Sequence, residues 1–344
     1  MKKLFFKISF AFIFFIATLF FANFIYTKYF YRAELKKINA ETIFDLDSLQ
    51  YLCDALYFGE SSNSSTSKYD SSKLSISELL DKQVEFKIGT IEHEAIDAQT
   101  YFELIKNIQP NENIKTIIVT LNLRSFGAPW IYSQMNTALM QQKIMYEPIP
   151  NIIKRMKLVY NLFDNKDVTF RDSLREYHWQ HDKINVPDSF KYKNVRQWDN
   201  GMGNGTYVLA DGKTWDIPKI SLACHYIKTY AFSIDTLSNP RIKDFDAIVV
   251  IAKKKNLNLI FNLLAENVHY ADSLVGKELI DLMRENKNLL INRYNKNGVI
   301  VVDNFELING LDFTDQNWTT EHYNQKGRKI IADNIATKAG VFLK

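Results

Sequence analysis

The chain has 344 residues, 46% of them hydrophobic and 24% charged, which allows one large domain with a substantial core and excludes a disordered protein. Its 43 basic and 39 acidic residues nearly cancel, which is unlike a nucleic-acid-binding protein, so we expect no nucleic-acid partner. The only cysteines, Cys53 and Cys224, lie far apart in sequence. Their spacing indicates neither a metal site nor a required disulfide, and we expect no metal and no cofactor.

The first predicted element is an uncharged apolar stretch at residues 8–26. At 1.5 Å per residue it spans about 30 Å, the thickness of one hydrocarbon core. A cleavable signal peptide would have small residues before its cleavage site, where this chain has Phe20 and Phe21. We therefore expect residues 1–27 to be an uncleaved membrane anchor. Basic residues flank the stretch on both sides and slightly favour a periplasmic or extracellular body.

Residues 28–50 are charged and compatible with helix, which indicates a stalk between the membrane and the body. The body then begins with a buried strand that ends at Gly59 and leads into a serine-rich turn. The predicted elements of the body are strands at 52–58, 84–91, 114–123, 257–264 and 299–303, and helices at 95–105, 245–255, 273–286 and 324–338. Strands that alternate with helices indicate a mostly parallel sheet with helices on both faces, formed by residues 51–344.

The interval 146–235 does not follow this alternation. We predict that it is an insertion, a lid over the carboxyl edge of the sheet, where ligands bind in open α/β folds. It contains Trp179, Trp198 and Trp215. Tryptophan rings can stack on sugars, which makes Trp198 and Trp215 candidate substrate-binding residues, and the alternative is that they form a small core of the insertion.

Two residues of this sequence suggest acyl-transfer chemistry. Ser61 follows the first strand and Gly59, a position where backbone N–H groups can stabilise an anion. His322 directly precedes the last predicted helix, and an imidazole is the usual base for a hydroxyl nucleophile. Parallel strands end at one edge of the sheet, so the two side chains are candidates to face each other there.

Together these segments resemble the SGNH (GDSL-like) hydrolase superfamily. Gly59-Glu60-Ser61 is similar to the Gly-Asp-Ser block of that family, with Ser62 as the competing register. Asn122 follows a central strand, as the family's oxyanion-hole asparagine does, and His322 is followed by Gly327 at the family's spacing. The resemblance implies a flavodoxin-like three-layer α/β/α fold, with Ser61 as nucleophile, His322 as general base and Asn122 in the oxyanion hole.

The sequence departs from the family pattern at the other oxyanion-hole position. Ala95 stands nearest to the place of a glycine whose N–H joins the oxyanion hole. The backbone N–H survives this change if the φ angle permits it. Glu60 also replaces the usual aspartate, which keeps a carboxylate in the turn.

The third departure concerns the acid that orients the histidine. The family places it three residues before the histidine, where this chain has Thr319. Asp312 and Asp315 lie on the same loop, whereas Glu321 is expected to point elsewhere. We favour Asp315, and the alternative is a Ser–His dyad oriented by a backbone carbonyl.

Two further residues are candidate substrate contacts. Arg124 follows Asn122 by two positions and is suited to a carboxylated or phosphorylated substrate, although it could instead pair with a loop carboxylate. Asn267 follows a predicted strand at the same edge.

The resemblance, together with the predicted anchor, implies a membrane-anchored serine acyl esterase or O-acetyltransferase acting on ester groups of an envelope glycan. Its substrate would be an acylated carbohydrate or another small ester. The alternative is a catalytically inactive glycan-binding or assembly protein that has lost its acid at Thr319.

Overall fold

The structure is a computed structural model, and it describes residues 2–110, 113–133, 135–163, 168–181, 192–204, 209–212, 216–319 and 321–344. Trp215 lies outside the described residues.

A parallel sheet is the centre of the fold. Five parallel strands lie in the order β2-β1-β3-β4-β5. The strands are β1 (Ala55–Gly59), β2 (Ile88–Glu92), β3 (Thr116–Leu121), β4 (Asn258–Leu263) and β5 (Ile300–Asp303). This is the flavodoxin-like strand order, and it confirms the predicted α/β class and the parallel sheet.

Helices precede the sheet and connect its strands. They are α1 (Lys2–Tyr29), α2 (Tyr31–Lys37), α3 (Thr42–Leu49), α4 (Ser61–Ser64), α5 (Ile76–Asp81), α6 (Ala98–Asn107), α7 (Ala128–Ile131), α8 (Met135–Tyr146), α9 (Asn151–Phe163), α10 (Val168–His181), α11 (Val195–Gly203), α12 (Ile217–Tyr230), α13 (Pro240–Lys254), α14 (Val268–Val275), α15 (Lys277–Asn295) and α16 (Gln325–Ala339). The single helix predicted at 273–286 is in fact two, because the chain turns at Gly276, whose φ of 108° lies in the left-handed region that favours glycine.

The strands bury both of their faces. Leu56 and Phe58 point into the larger core, which is shared with α3, α6, α13 and α15, whereas Ala55 and Tyr57 point into the smaller core under α5 and α16. Successive side chains of a strand point to opposite faces, so the continuous apolar runs of β1 and β3 match a sheet covered on both sides. The fold therefore has three layers.

Helix α1 contains the predicted anchor. It is long and apolar enough to cross a membrane, and its most apolar 18-residue window has no residue buried by the described part of the chain. The segment predicted as a stalk folds as α2 and α3. Leu35, Ile43 and Leu46 from these helices lie in the larger core, so the segment packs on the body.

The described part of the insertion is helical and also joins the larger core. On α11, Val195, Trp198 and Met202 are buried at helical spacing, and α12 contributes Ile220 and Tyr230. The two cysteines are free thiols.

Candidate active site

Ser61 is the first residue of α4, and Glu60 alone separates it from β1. The strand ends at Gly59, where a Cβ atom would lie 3.1 Å from both the Asn63 and the Tyr57 side chains, so the tight turn leaves little room for a larger residue. Ser61 is half-buried and its hydroxyl faces His322, whereas the side chain of Ser62 is buried. The geometry thus distinguishes the two registers that the sequence left open.

His322 connects Ser61 to a carboxylate. Its Nε2 lies 3.0 Å from Ser61 Oγ, and its Nδ1 lies 2.5 Å from Asp315 Oδ2. The histidine and aspartate side chains are 23% and 40% exposed, so the arrangement is open to solvent. A serine, an imidazole and a carboxylate in this order form the hydrogen-bonded chain that activates a hydroxyl nucleophile.

A short antiparallel pairing explains why Asp315, seven positions before His322, reaches the imidazole. Phe313 and Tyr323 form a β-bridge, and Thr314 N donates to His322 O at 2.8 Å. The pairing folds the loop back on itself and brings Asp315 beside His322.

The other candidate acids have other partners. Asp312 binds Lys326, and Glu321 is buried and pairs with Arg124. Thr319, at the family's usual acid position, instead accepts a hydrogen bond on its backbone oxygen from Arg124.

Asn122 lies at the end of β3, beside the start of α4. Its Nδ2 donates to Glu60 Oε1 at 2.6 Å, and its Oδ1 accepts from Arg124 N at 3.1 Å. An amide group has two N–H bonds, so one remains for another acceptor. A cavity of about 20 Å³ is lined by Glu60, Ala95 and Asn122 among others, so the two predicted oxyanion-hole residues border the same small space.

Ala95 has a φ angle of 53°, in the left-handed region that non-glycine residues rarely adopt. A buried ion network holds the loop that follows it. Asp97 binds Lys143 at 2.6 Å and Arg241 at 3.2 Å. Burial alone would raise the pKa of Asp97, but these two cations lower it below its usual range, and the loop is thereby fixed to α8 and α13.

Behind Ser61 lies a buried cluster of charged groups that the sequence did not predict, which we call the carboxylate cluster: Glu60, Glu266, Glu321 and Arg124. Each of these residues is less than 9% exposed. Arg124 binds Glu321 at 2.7 Å, while Tyr230 donates to Glu266 at 2.5 Å and contacts Glu321 at 3.2 Å.

The cluster holds three acidic groups for one guanidinium, and this excess of buried acidic groups raises the pKa values of Glu60 and Glu266. Burial, followed by the charge of Glu321, raises the pKa of Glu60 to about 7, although Arg124 and Asn122 oppose the shift. Burial and Glu321 also raise the pKa of Glu266 well above its usual range. Part of the cluster is therefore protonated near neutral pH.

The predicted substrate-binding residues have mixed outcomes. Arg124 is buried and pairs with the loop carboxylate Glu321, which was the alternative for this residue. Trp198 is 1% exposed in the core of α11, so its assignment as a substrate contact was wrong. Asn267 caps α14 by accepting from Tyr270 N at 3.3 Å, a structural role, and Trp215 lies outside the described residues.

Sequence reasoning missed three side chains near the site. Trp318 lies on the loop between Asp315 and His322, Trp130 lies under Arg124, and Glu266 follows β4. Trp318 was detectable, because it is an aromatic residue within the segment already assigned to the acid and the base.

Comparisons with known proteins add little to this geometry. No known family model matches the chain, and no curated protein matches it. Among solved structures, the chain is similar to the lipase/acylhydrolase from Enterococcus faecalis, with 9% sequence identity over 84% of this chain and 96% of that chain. The TM-score is 0.33, which is too low to support a conclusion about function.

The fold and the site together describe an α/β protein with a Ser–His–Asp arrangement at the carboxyl edge of a parallel sheet.

Proposed function

We propose that the protein is a membrane-anchored serine acyl esterase or O-acetyltransferase that acts on ester groups of an envelope glycan. The observation that carries this proposal is the hydrogen-bonded chain Ser61–His322–Asp315. The alternative of an inactive protein rested on the missing acid at Thr319. Because Asp315 gives His322 a carboxylate partner, we favour the enzyme.

In the proposed reaction, Ser61 Oγ attacks the carbonyl carbon of the ester while His322 Nε2 accepts the hydroxyl proton. Asp315 holds the imidazole in the tautomer that accepts at Nε2 and stabilises the imidazolium that forms. The C–O bond to the leaving alcohol then breaks, and His322 returns the proton to the alcohol oxygen. Water or a sugar hydroxyl next attacks the acyl-enzyme, which releases a free acid or a new ester.

The negative charge on the tetrahedral intermediate would be held by the N–H groups of Ser61 and Ala95 and by the Asn122 amide. The Asn122 side chain is oriented by Glu60, and the Ala95 loop by the Asp97 ion network. The donors would thus be fixed before the substrate arrives, which is the condition under which an oxyanion hole is effective.

The small cavity beside Glu60 and Asn122 supports a short acyl group. Its volume of about 20 Å³ has room for little more than one water-sized probe. The methyl group of an acetyl ester is about the size of a water molecule and fits such a space, whereas a fatty acyl chain does not. We therefore expect p-nitrophenyl acetate to be hydrolysed much faster than p-nitrophenyl octanoate.

Helix α1 supports a location at a membrane. A helix of this length and apolarity is suited to anchoring the chain in a membrane. We propose that the body is periplasmic or extracellular, where an envelope glycan would be accessible to it.

The experiment that tests the proposal is hydrolysis of p-nitrophenyl acetate by the full-length protein in detergent. Ser61→Ala should reduce turnover by roughly 10³-fold or more, because it removes the attacking oxygen. Ser62→Ala is the matched control and should keep wild-type turnover. A wild-type protein without activity, or equal losses in both variants, would argue against the proposal.

A further inference from the structure

A cleft of about 320 Å³ lies next to the loop that carries Asp315 and His322. Its size is within the range of small-ligand sites, about 300–1,000 Å³. The side chains that line it include Trp130, Trp179, His225, Lys228, Trp318 and Thr319. Three of the chain's five tryptophans therefore line one cleft beside the proposed active site.

Trp318 is the most informative of these residues. It is 50% exposed, and its ring centroid lies 4.2 Å from that of His225. Its backbone N–H donates to Asp315 O at 3.4 Å, so the position of the ring is tied to the loop of the proposed triad. A large aromatic side chain held half-exposed at this place is suited to contact with a ligand.

Contacts with neighbouring residues hold two of the other rings in place. The guanidinium of Arg124, which also lines the cleft, lies 4.6 Å from the centre of the Trp130 ring. Trp179 Nε1 donates to the backbone oxygen of Lys228 at 3.3 Å. The aromatic walls are therefore fixed by neighbouring elements, which lowers the entropy cost of binding a ligand.

The polar groups of the cleft suit hydroxyl groups. Lys228 and Arg124 carry N–H donors, the Thr319 hydroxyl can donate or accept, and no carboxylate lies among the described residues that line the cleft. Burial, followed by the charge of Lys228, lowers the pKa of His225, so the ring is neutral at neutral pH and has one nitrogen able to accept. A sugar ring has an apolar C–H face and a rim of hydroxyls, which matches this combination.

We propose that this cleft is the site where a sugar ring of the glycan binds, with Trp318 against the ring face and the small cavity beside Asn122 holding the acyl group. This inference rests on the proposed function for the identity of the reaction. The sugar-binding site itself rests on the cleft.

The test is binding of a panel of soluble oligosaccharides, including cello-, xylo- and chito-oligosaccharides and oligogalacturonides, to the full-length Ser61→Ala protein in a detergent that contains no sugar. Saturation-transfer NMR and tryptophan fluorescence report binding. We expect at least one class to bind, and Trp318→Ala to weaken it at least tenfold. Tyr51→Ala is the matched control, since Tyr51 is an aromatic residue of similar exposure, 54%, before the amino end of β1.

The outcomes separate the two proposals. Hydrolysis of p-nitrophenyl acetate by the wild type, without binding of any oligosaccharide, would overturn the sugar-binding cleft and leave the esterase. Binding that depends on Trp318, without hydrolysis, would overturn the esterase and leave the cleft. Equal binding by the Trp318→Ala and Tyr51→Ala variants would also contradict the cleft.

A second inference concerns α9 and is independent of the cleft. This helix packs against the anchor helix α1. Asn23 Oδ1 accepts from Ile152 N at 3.0 Å, and Asn151 Nδ2 donates to Thr27 Oγ1 at 3.1 Å. A groove of about 270 Å³ between the helices is lined by Ile16, Leu19, Phe20, Asn23, Pro150, Ile152 and Ile153.

These contacts place the start of α9 at the depth of the apolar stretch. With 1.5 Å per residue, Phe20 lies about 9 Å below Tyr26, where the uncharged stretch ends. In hydrocarbon every backbone N–H needs a partner. Asn23 supplies an acceptor for the N–H of Ile152, in the first turn of α9, and this accounts for an amide side chain within the uncharged segment.

The outer face of α9 has an apolar stripe, which we define as Ile152, Ile153, Met156, Val159 and Tyr160. Met156, Val159 and Tyr160 are 54%, 37% and 71% exposed, and the two isoleucines are half-exposed. The opposite face is buried on the body through Lys154 and Leu158. Within the described part of the chain, the apolar window of α1 beside this stripe has no buried residue.

We infer that α9 lies in the membrane leaflet beside α1, with the apolar stripe against lipid acyl chains. The inference rests on α1 as the anchor. It implies that the body sits directly on the membrane surface, because α2, α3 and α9 join the anchor to the core without a flexible spacer.

The test is spin labelling of the full chain in lipid nanodiscs, in a background with Cys53→Ala and Cys224→Ala. A nitroxide at Met156→Cys should be more accessible to oxygen than to an aqueous nickel complex, as should one at Phe14→Cys in the anchor. The control Lys329→Cys, whose parent side chain is 62% exposed on α16, should show the opposite preference.

A Phe14 label that prefers the aqueous nickel complex would overturn the anchor itself. A Phe14 label in lipid combined with an aqueous Met156 label would overturn the inference for α9. A Met156 label inaccessible to both reagents would indicate a protein partner or a second copy of the chain on the stripe, and would contradict the lipid contact.

Discussion

The ionisable groups on the two sides of the Glu60–Ser61 turn differ sharply in their exposure to solvent. On one side, His322 and Asp315 form a partly exposed chain of hydrogen bonds. On the other side, Glu60, Glu321 and Arg124 are almost completely buried. Exposed groups can exchange protons with a substrate, whereas buried charges must satisfy one another. The exposed groups are therefore suited to the proposed reaction, and the buried groups to holding the turn before Ser61 in place.

The largest effect is expected on the exposed side. Asp315→Asn should reduce turnover of p-nitrophenyl acetate at least tenfold, towards the roughly 10⁴-fold loss seen when a serine protease loses its orienting carboxylate. Folding should be preserved, because Asp315 is 40% exposed. Asp312→Asn is the control on the same loop and should retain most of the activity. Near-wild-type turnover for Asp315→Asn would remove this residue from the site.

On the buried side, the expected effect is on stability. Arg124→Met leaves the buried Glu321 without its ion-pair partner and should lower the free energy of unfolding by about 3–5 kcal/mol. Arg284→Met, which removes an exposed pair with Glu306, should cost less than about 1 kcal/mol. Urea unfolding at pH 8 measures both. If the two variants lose similar amounts of unfolding free energy, the buried ion pair contributes no more to stability than the exposed one.

Burial of Glu60 should also make the stability of the protein depend on pH. Glu60 has a pKa of about 7 in the folded chain and 4.5 as its ordinary value, so the folded state binds the extra proton in this window. Its contribution to stability is present below pH 4.5 and is lost as the pH rises towards 7, a change on the order of 3 kcal/mol. Glu60→Gln should therefore equal the wild type near pH 4.5 and be more stable at pH 8.

Urea unfolding across this pH range tests the expectation, with Glu285→Gln on the exposed surface of α15 as the matched carboxylate control. Parallel stability curves for the wild type and Glu60→Gln would mean that Glu60 titrates as it does in the unfolded chain.

The smallest expected effect is at Ala95. Its φ of 53° is strained for a residue with a Cβ atom, so Ala95→Gly should raise the free energy of unfolding by about 1 kcal/mol. The backbone N–H is retained, and we expect turnover to stay within about twofold of the wild type. Thermal unfolding and the p-nitrophenyl acetate assay are the measurements. A less stable glycine variant would show that the strain is absent.

Much of the fold could be predicted because the signals are local. The β-branched run of β3 and the apolar run of β1 indicate buried parallel strands. The bounds predicted for both strands lie within three residues of the observed bounds. Trp198 had a local signal too, since Val195, Trp198 and Met202 repeat at helical spacing. That spacing predicts a core residue, and it is stronger evidence than the general suitability of tryptophan for stacking on sugars.

The rest of the site depends on tertiary contacts. Asp315 meets His322 only because residues 312–314 pair with residues 322–324, and nothing at the sequence positions themselves indicates this pairing. The carboxylate cluster collects Glu60, Glu266 and Glu321 from three separate segments. Charged residues are ordinarily read as exposed, so a sequence gives no warning that these three are buried together.

Covalent labelling tests directly whether Ser61 is an activated nucleophile. The full-length protein is treated with a fluorophosphonate, and the modified peptide is located by mass spectrometry. We expect a single adduct on Ser61, which disappears in Ser61→Ala, persists in Ser62→Ala and forms more slowly in Asp315→Asn. An adduct on Ser62, or no adduct on the folded wild-type protein, would contradict it.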